Sequence, residues 1–226
     1  MTSEKKQAII IFSKYPREGV VKTRLAKTMG TKFAVKFYKA CAENTFNECE
    51  KLISDNTSVY IFYSDIKEEK LIVEWTSKKF LYNEQTGSNL GERMMNAFGH
   101  VFDDKAQNAI IIGTDLPDIS SSIIMDAFKA LENYHAVIGP SSDGGYYLLG
   151  MNKFHRHLFE DIKWSTNSVF RSTVKKIEQE SLTVKILDEL IDIDEQKDLI
   201  NWSVNIRPDE NNFLYKLLKE QKIFVH

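Results

Sequence analysis

Short apolar runs alternate along this chain with longer stretches of helical periodicity, and this alternation constrains the fold more than any other feature. Runs typical of strands occur at 8–13, 58–63, 109–113, 136–139, 146–151 and 184–187. Apolar residues have helical spacing over 32–53, 89–102, 121–132, 168–178 and 210–221. Strands that alternate with helices predict an α/β fold with a mostly parallel sheet covered on both faces. The gap before 146–151 is too short for a helical crossover, which predicts one antiparallel strand.

The charge balance of the chain excludes a strongly basic or acidic surface. The 226 residues include 30 basic and 32 acidic side chains, so we expect neither a nucleic-acid nor a membrane partner. No apolar stretch approaches the roughly 18 residues of a membrane span, and the first apolar run predicts a strand rather than a signal peptide. Cys41 and Cys49 lack metal-ligand spacing and favour a reducing compartment. We expect one cytoplasmic domain over residues 1–226, of unspecified oligomeric state.

The segment after the first predicted strand concentrates cations in a loop. Lys14, Lys22 and Arg24 surround Gly19, and a basic loop in this position is where many α/β proteins hold phosphates through backbone N–H groups and cationic side chains. The segment is not a Walker A loop, because it has one glycine and that glycine does not directly precede the lysine. The alternative is a surface loop whose charges are solvated.

Asp115 follows the apolar run 109–113 and is the strongest metal candidate in the chain. Pro117 disfavours a helical conformation of the residue before it, which keeps Asp115 extended beyond the end of the strand. In an open α/β sheet, ligands bind beyond the carboxyl ends of the strands, and carboxylates there can hold a divalent cation. Asp118 and Ser120 are better explained as helix caps.

Two further segments are candidates for ligand contacts. Asp143, Gly144 and Gly145 follow the run 136–139, and the glycines permit close approach of a ligand, although such a turn also makes ordinary hairpins. Gly91 and Arg93 lie in the first turn of a predicted helix that Ser88 or Asn89 would cap, where a phosphate could approach. Arg93 is equally compatible with a solvated or ion-paired side chain.

Asp192 and Asp194 precede a predicted helix over 195–202. Because they alternate along an extended segment, we expect only one of them to face the site. Asp192 is the candidate second metal ligand beside Asp115, and Asp194 is the candidate helix cap.

Six stretches of the sequence, taken in order, resemble one family. These are FSKYPREGVVKTRLA, NLGERM, IIIGTDLPDI, GPSSDGGYYLLGM, KWST and LIDIDEQKDL, which together extend over most of the chain. The chain resembles an uncharacterised domain family (the DUF2064 type) of nucleotide-diphospho-sugar-transferase-like proteins with the glycosyltransferase-A fold. More distantly, it is similar to guanylyltransferases that act on phospholactate or the molybdenum cofactor.

The resemblance implies a single Rossmann-like three-layer α/β/α domain that binds a nucleotide or nucleotide-sugar together with Mg²⁺ or Mn²⁺. By that analogy the Lys14–Arg24 loop would bind phosphates, Asp115 the metal, and Asp143-Gly144-Gly145 the sugar or a small-molecule acceptor. Asp192 or Asp194 would supply a second carboxylate to the metal. Lys22 and Arg24 would neutralise charge that develops during transfer, and Asp143 would orient or deprotonate the acceptor.

The reaction itself is left open by two departures from related patterns. The first loop lacks the G-G-x-G-x-R glycines of nucleotidyltransferases, and the strand that ends at Asp115 lacks the Asp-x-Asp pair of many glycosyltransferases. Our leading hypothesis is metal-dependent glycosyl transfer from a nucleotide-sugar. The alternatives are nucleotidyl transfer to a small phosphorylated substrate and non-catalytic binding of a nucleotide or sugar phosphate.

Overall fold

A computed structural model describes residues 6–66, 69–204, 206, 213–221 and 223. Within these ranges seven strands form one sheet in the order β3-β2-β1-β4-β6-β5-β7. All neighbouring strands are parallel except β6, which is antiparallel to both β4 and β5. The strands are β1 (Gln7–Lys14), β2 (Thr57–Ser64), β3 (Leu81–Glu84), β4 (Asn108–Gly113), β5 (Ala136–Pro140), β6 (Tyr146–Met151) and β7 (Val184–Ile186).

The described residues also form eight α-helices and a 3₁₀ turn over Arg156–Phe159. The helices are α1 (Thr23–Met29), α2 (Thr31–Glu50), α3 (Glu69–Trp75), α4 (Leu90–Asp103), α5 (Ser121–Ala130), α6 (Val169–Gln179), α7 (Gln196–Ser203) and α8 (Phe213–Glu220). Within these ranges, no helix has the combined length and hydropathy needed to cross a lipid bilayer.

The sheet is covered on both faces, because alternate residues of each strand enter two separate apolar cores. In β1, Ile9 and Ile11 pack with α2, α3 and α5, whereas Ala8 and Ile10 pack with α4 and α6 on the opposite face. A third cluster joins α1, α7 and α8 to the outer side of α2, with Phe37 near its centre. Because of this third cluster, α8 packs against α2 rather than on the sheet.

The predicted α/β architecture with a single antiparallel strand is confirmed. The six predicted strands and the helices predicted near α2, α4, α5, α6, α7 and α8 are present, with ends shifted by a few residues; positions 210–212 of the last prediction lie outside the described residues. The elements that the sequence pattern missed are β3, α1 and α3. Each is short, four residues in β3 and seven in each helix, so too few positions repeat for a period to be recognised.

Candidate functional site

The candidate site lies at the carboxyl end of β1 and β4, where the strand order changes direction. The chain leaves β1 to form β2 on one side, and β4 pairs with β1 on the other. In open α/β sheets, this arrangement creates a crevice beyond the two strand ends. Here it is a cleft of about 930 Å³, lined by residues from the loops that follow β1, β4 and β5 and from the segment before α7. A cleft of this size can hold a ligand as large as a nucleotide-sugar.

Lys22 lies at the centre of a cluster of three carboxylates at the base of this cleft. Its Nζ atom is 3.3 Å from Asp115 Oδ1, 3.1 Å from Asp192 Oδ1 and 3.5 Å from Asp194 Oδ1. The lysine side chain is only 2% exposed, whereas the carboxylates of Asp115, Asp192 and Asp194 are 50%, 17% and 38% exposed. The cluster therefore presents a buried cation beneath partly accessible anions. We call these four residues the Lys22 cluster.

The backbone and the charge of Lys22 are both held by its surroundings. Lys22 is the N-cap of α1 in the left-handed conformation (φ 45°, ψ 46°), which non-glycine residues adopt uncommonly. Burial disfavours its charged form, but attraction to Asp115, Asp192 and Asp194 outweighs that effect and raises the pKa of Lys22 above its ordinary value. Lys22 is therefore a permanent cation in this state of the protein.

Asp192 is brought to the cluster by an extension of the β5–β7 pairing. Leu190 bridges Ser141 beyond the end of β5, and the Asp192 amide donates to Ser142 Oγ at 3.3 Å. Burial raises the pKa of Asp192 to about 6, despite the opposing attraction of Lys22. The carboxylate of Asp192 therefore gains a proton in mildly acidic solution.

The expectation that only one aspartate of this segment faces the site is wrong. Asp194 also contacts Lys22, and its Oδ2 lies 3.4 Å from Arg24 Nη1. The reason is that side chains two residues apart in an extended segment point to the same side, so Asp192 and Asp194 face the cleft together while Ile193 between them is buried in the third apolar cluster. The expected cap is also displaced, because Glu195 caps α7 in a capping box with Asp198.

Asp115 is fixed by the ends of β1 and β4. The preceding residue, Thr114, is buried, and its hydroxyl donates to the Phe12 carbonyl at 3.3 Å. The Tyr38 hydroxyl lies 2.9 Å from Thr114 Oγ1 and accepts from the Lys14 amide at 2.8 Å. Burial, with a smaller contribution from Asp115, raises the pKa of Tyr38 to about 12, so this hydroxyl stays protonated. Tyr38 thus ties together the two strand ends that define the site.

Asp118, in the turn after β4, does not cap α5 but contacts α7. The Asp118 carboxylate accepts from Trp202 Nε1 of α7 at 2.8 Å, and burial raises its pKa. Ser120 is the N-cap of α5, as predicted, because its hydroxyl accepts from the Ile123 amide. The carboxylate of Asp118 therefore belongs to the packing of α7.

Asp143 closes its own loop at the edge of the cleft. Its Oδ1 accepts from Ser141 Oγ at 2.6 Å and from the Gly145 amide at 2.9 Å. Gly144 has φ +88°, and a Cβ on it would lie 2.1 Å from the Asn167 carbonyl oxygen. Glycine is thus required at position 144 for two reasons: its φ is positive, and the backbone of the segment before α6 leaves no room for a side chain. Asp143 and Gly145 line the cleft, and their roles toward a sugar or acceptor stay predictions.

Gly91 and Arg93 lie in the first turn of α4, and of the two only Arg93 lines the cleft. Asn89 caps α4 as predicted, by accepting from the Glu92 amide. A Cβ on Gly91 would lie 2.1 Å from Trp164 Nε1, so the glycine makes room for the indole that lines the cleft beside it. Arg93 also lines the cleft and donates to the Gly87 carbonyl at 3.3 Å. Packing alone explains a glycine at position 91, and phosphate binding there stays a prediction.

The first loop contributes side chains of unequal accessibility. Lys14 and Arg24 line the cleft, and the Arg24 side chain is 66% exposed. Gly19 has φ +77° and open space around it, and it shapes the turn before the cleft-lining residues Val20 and Val21. The structure therefore brings Lys14, Lys22 and Arg24 to the cleft, with Lys22 already paired to carboxylates.

Sequence reasoning missed three contributors to this site. Asp194 was assigned to a cap, Tyr38 lies within an apolar helical pattern, and the indole of Trp164 was not singled out as a wall of the cleft. A sequence signal existed only for Asp194, in the repeated aspartates of the segment DID. Across the described ranges, no three His, Cys, Asp or Glu side chains are disposed to hold a metal ion, and the ammonium of Lys22 lies between the three nearest carboxylates.

Comparison with solved structures supports the fold over its full length. A crystal structure from Desulfovibrio desulfuricans G20, named provisionally as a nucleotide-diphospho-sugar transferase, is 30% identical, with 97% of this chain and 96% of that one aligned at a TM-score of 0.90. A 4-diphosphocytidyl-2C-methyl-D-erythritol synthase from Anaerococcus prevotii is 14% identical (87% and 96% covered, TM-score 0.56). A glucosyl-3-phosphoglycerate synthase from Mycobacterium tuberculosis, solved with Mn²⁺, UDP and phosphoglyceric acid, is 8% identical (83% and 69% covered, TM-score 0.53). The last two share the fold alone.

The family follows from sequence as well as from structure. A comparison with curated proteins finds no match. Residues 48–166 match a family model described as "Uncharacterized protein conserved in bacteria (DUF2064)". That segment covers more than half of the chain, and the Desulfovibrio protein extends the similarity to nearly all of it. The predicted resemblance is confirmed: the chain belongs to the DUF2064 family and has the glycosyltransferase-A-like α/β fold of its structural relatives.

Proposed function

We propose that this protein is a transferase that binds a nucleotide-activated sugar with Mg²⁺ or Mn²⁺ and transfers the glycosyl group to a small-molecule acceptor. The observation that carries the proposal is the Lys22 cluster, at the carboxyl ends of β1 and β4 in the large cleft. Cations and carboxylates at such a switch point suit a ligand with a diphosphate and its counter-ion. The 30% identity to the provisionally named nucleotide-diphospho-sugar transferase supports the same class.

The donor set of the cluster fits a divalent cation by its chemistry. Asp115, Asp192 and Asp194 direct carboxylate oxygens to within 3.5 Å of one cationic atom, and Mg²⁺ and Mn²⁺ prefer oxygen ligands. These three aspartates would hold the metal. When bound, such an ion would supply positive charge that offsets the charge on the leaving diphosphate. The Mn²⁺ and UDP in the glucosyl-3-phosphoglycerate synthase agree with this assignment for the fold.

The remaining cleft residues would act on the substrates directly. In glycosyl transfer the bond between the anomeric carbon and the phosphate oxygen breaks, and the diphosphate leaves with the electron pair. Lys14, Arg24 and Arg93 line the cleft and would stabilise that charge by hydrogen bonds and ion pairs. The acceptor hydroxyl forms the new bond to the anomeric carbon and loses its proton. Asp143, at the rim, would receive that proton or orient the hydroxyl.

Nucleotidyl transfer is the second candidate, and it is favoured by one observation. The 4-diphosphocytidyl-2C-methyl-D-erythritol synthase from Anaerococcus prevotii shares the fold with a TM-score of 0.56. In that reaction the phosphate of the acceptor attacks the α-phosphorus and pyrophosphate leaves. The single glycine of the first loop argues for the glycosyl reaction, because nucleotidyltransferases of this fold commonly have a Gly-rich first loop. The two reactions release different products.

The test is ligand-dependent thermal stability of the metal-free protein, followed by product analysis. Nucleotide-sugars and nucleoside triphosphates are each added with and without Mn²⁺, and a ligand at a hundred times its Kd should stabilise the folded state by about 2.7 kcal/mol. We expect a metal-dependent shift with a nucleotide-sugar that is lost in Asp115→Asn. Asp126→Asn, an exposed change on α5 outside the cleft, is the matched control.

The product then decides among the three hypotheses. Release of a nucleoside diphosphate with a glycosylated acceptor supports the proposal, and release of pyrophosphate from a triphosphate moves the assignment to nucleotidyl transfer. Saturable binding that gives no product with a broad acceptor panel supports a binding protein. If no nucleotide or nucleotide-sugar shifts the transition, the proposed function is wrong.

A further inference from the structure

We propose that Lys22 is a built-in cation that takes the metal position among the three carboxylates, so that a divalent ion binds tightly only after an anionic ligand draws the lysine away. This inference rests on the proposed function, since it concerns the metal and the nucleoside diphosphate of that same cleft. It makes metal binding and nucleotide binding depend on each other. It also assigns Lys22 a part that differs from simple phosphate contact.

The geometry of the cluster leads to this role. The three carboxylate oxygens lie 3.1–3.5 Å from Lys22 Nζ, which is within ion-pair distance of its ammonium group. A Mg²⁺ ion requires oxygens at about 2.0–2.1 Å. An ion that drew these same oxygens around itself would occupy the volume of the ammonium. The carboxylates can therefore surround the lysine or the metal, but not both in the same place.

The charges around the cluster also make tight metal binding depend on an anionic ligand. Asp115, Asp192 and Asp194 carry three negative charges, which Lys22 and Arg24 reduce to one. With Lys22 in place, an entering divalent ion meets a weaker negative field and a like charge within a few ångströms. A nucleoside diphosphate changes both conditions, because its oxygens attract the lysine and add ligands for the metal.

The side chain of Lys22 is able to make the exchange. Its backbone is fixed as the N-cap of α1, yet the residue also lines the cleft, and its four-carbon stem has rotatable bonds along its length. Movement of the Nζ atom toward a phosphate needs no change in the sheet or in α1. The exchange is a binding step in which no covalent bond forms or breaks.

The test compares Mn²⁺ binding by wild type and Lys22→Met without nucleotide, measured by electron paramagnetic resonance of free Mn²⁺. We expect the variant to bind Mn²⁺ at least about tenfold more tightly, because the competing charge is gone. Mn²⁺ alone should also raise the melting temperature of Lys22→Met and have a much smaller effect on wild type. Lys129→Met removes the same charge from an exposed position on α5 outside the cleft, and its Mn²⁺ affinity should stay near that of wild type.

A second measurement covers the case in which Lys22→Met does not fold. Lys22→Gln removes the charge with a polar side chain. In wild type, a nucleoside diphosphate identified by thermal shift should raise Mn²⁺ affinity at least about tenfold, after subtraction of the Mn²⁺ that the nucleotide binds by itself. That enhancement should shrink in the Lys22 variant.

The outcomes separate this inference from the proposed function. If wild type without nucleotide binds Mn²⁺ as tightly as the Lys22 variants, the inference is overturned while nucleotide binding and turnover still support the transferase. If no variant binds Mn²⁺ under any condition, both this inference and the metal requirement of the proposed function are wrong. Absence of nucleotide binding would instead overturn the proposed function itself.

Discussion

Replacing Lys22 by methionine should destabilise the metal-free protein strongly at pH 8 and weakly at pH 5. The substitution keeps most of the aliphatic volume and removes the charge that three carboxylates share. The side chain of Asp115 is 50% exposed and that of Asp194 is 38% exposed. Ion pairs with groups as exposed as these contribute about 0–1 kcal/mol each. Asp192 is 17% exposed, and a buried charge left without its partner costs about 3–5 kcal/mol.

The substitution also removes the cost of burying the lysine charge, which offsets part of the destabilisation. We therefore expect a decrease of about 3 kcal/mol in the free energy of unfolding at pH 8. For a chain of 226 residues this corresponds to roughly 6–12 °C in Tm. The sign of the pH dependence follows from Asp192. Its pKa in the folded protein is about 6, above its ordinary value of 3.8, so the folded state holds the extra proton between those values. At pH 5 the carboxyl is mostly neutral, and the penalty for losing Lys22 should fall to about 1 kcal/mol.

Urea denaturation followed by tryptophan fluorescence, in EDTA at both pH values, measures these free energies. Lys14→Met is the control, because Lys14 lines the cleft with no carboxylate partner among the described residues. A decrease that is equally large at pH 5 and pH 8 would contradict the assignment to Asp192. A decrease below about 1 kcal/mol at pH 8 would refute the buried pair itself.

Three other changes test the supports of the site by the same unfolding assay. Tyr38→Phe should cost about 1–2 kcal/mol, because it leaves the partly buried Lys14 amide of β1 without its acceptor, and a neutral result would show that water replaces the hydroxyl. Gly91→Ala should cost about 1–3 kcal/mol through overlap with Trp164, whereas Gly99→Ala in the same helix, where the nearest atom is 3.6 Å away, should be neutral or stabilising by up to about 1 kcal/mol. Because the folded state holds a proton on Asp192 up to about pH 6, wild type should lose about 2–3 kcal/mol of stability as the pH rises from about 4 to 6. Asp192→Asn should remove that loss, and an unchanged dependence of the unfolding free energy on pH would assign it to another group.

The sheet and its helices were predictable because their signals are local and repeated. The β-branched runs and the 3.6-residue spacing each recur over enough positions to identify most elements and the one antiparallel strand. The same reasoning located Asp115, since the end of an apolar strand followed by Leu-Pro is legible in a few residues. It missed β3, α1 and α3, where the repeat is too short.

The Lys22 cluster was decided by tertiary structure. Lys22 and Asp192 are 170 positions apart, and they meet because the β5–β7 pairing continues through Leu190 and because the third apolar cluster holds α1 beside α7. No period or motif encodes that distance. The sequence by itself determined that cations and carboxylates would lie at the ends of strands. Only the folded chain decided that one lysine is buried among three of those carboxylates, because burial and charge pairing depend on neighbours that the local sequence does not contain.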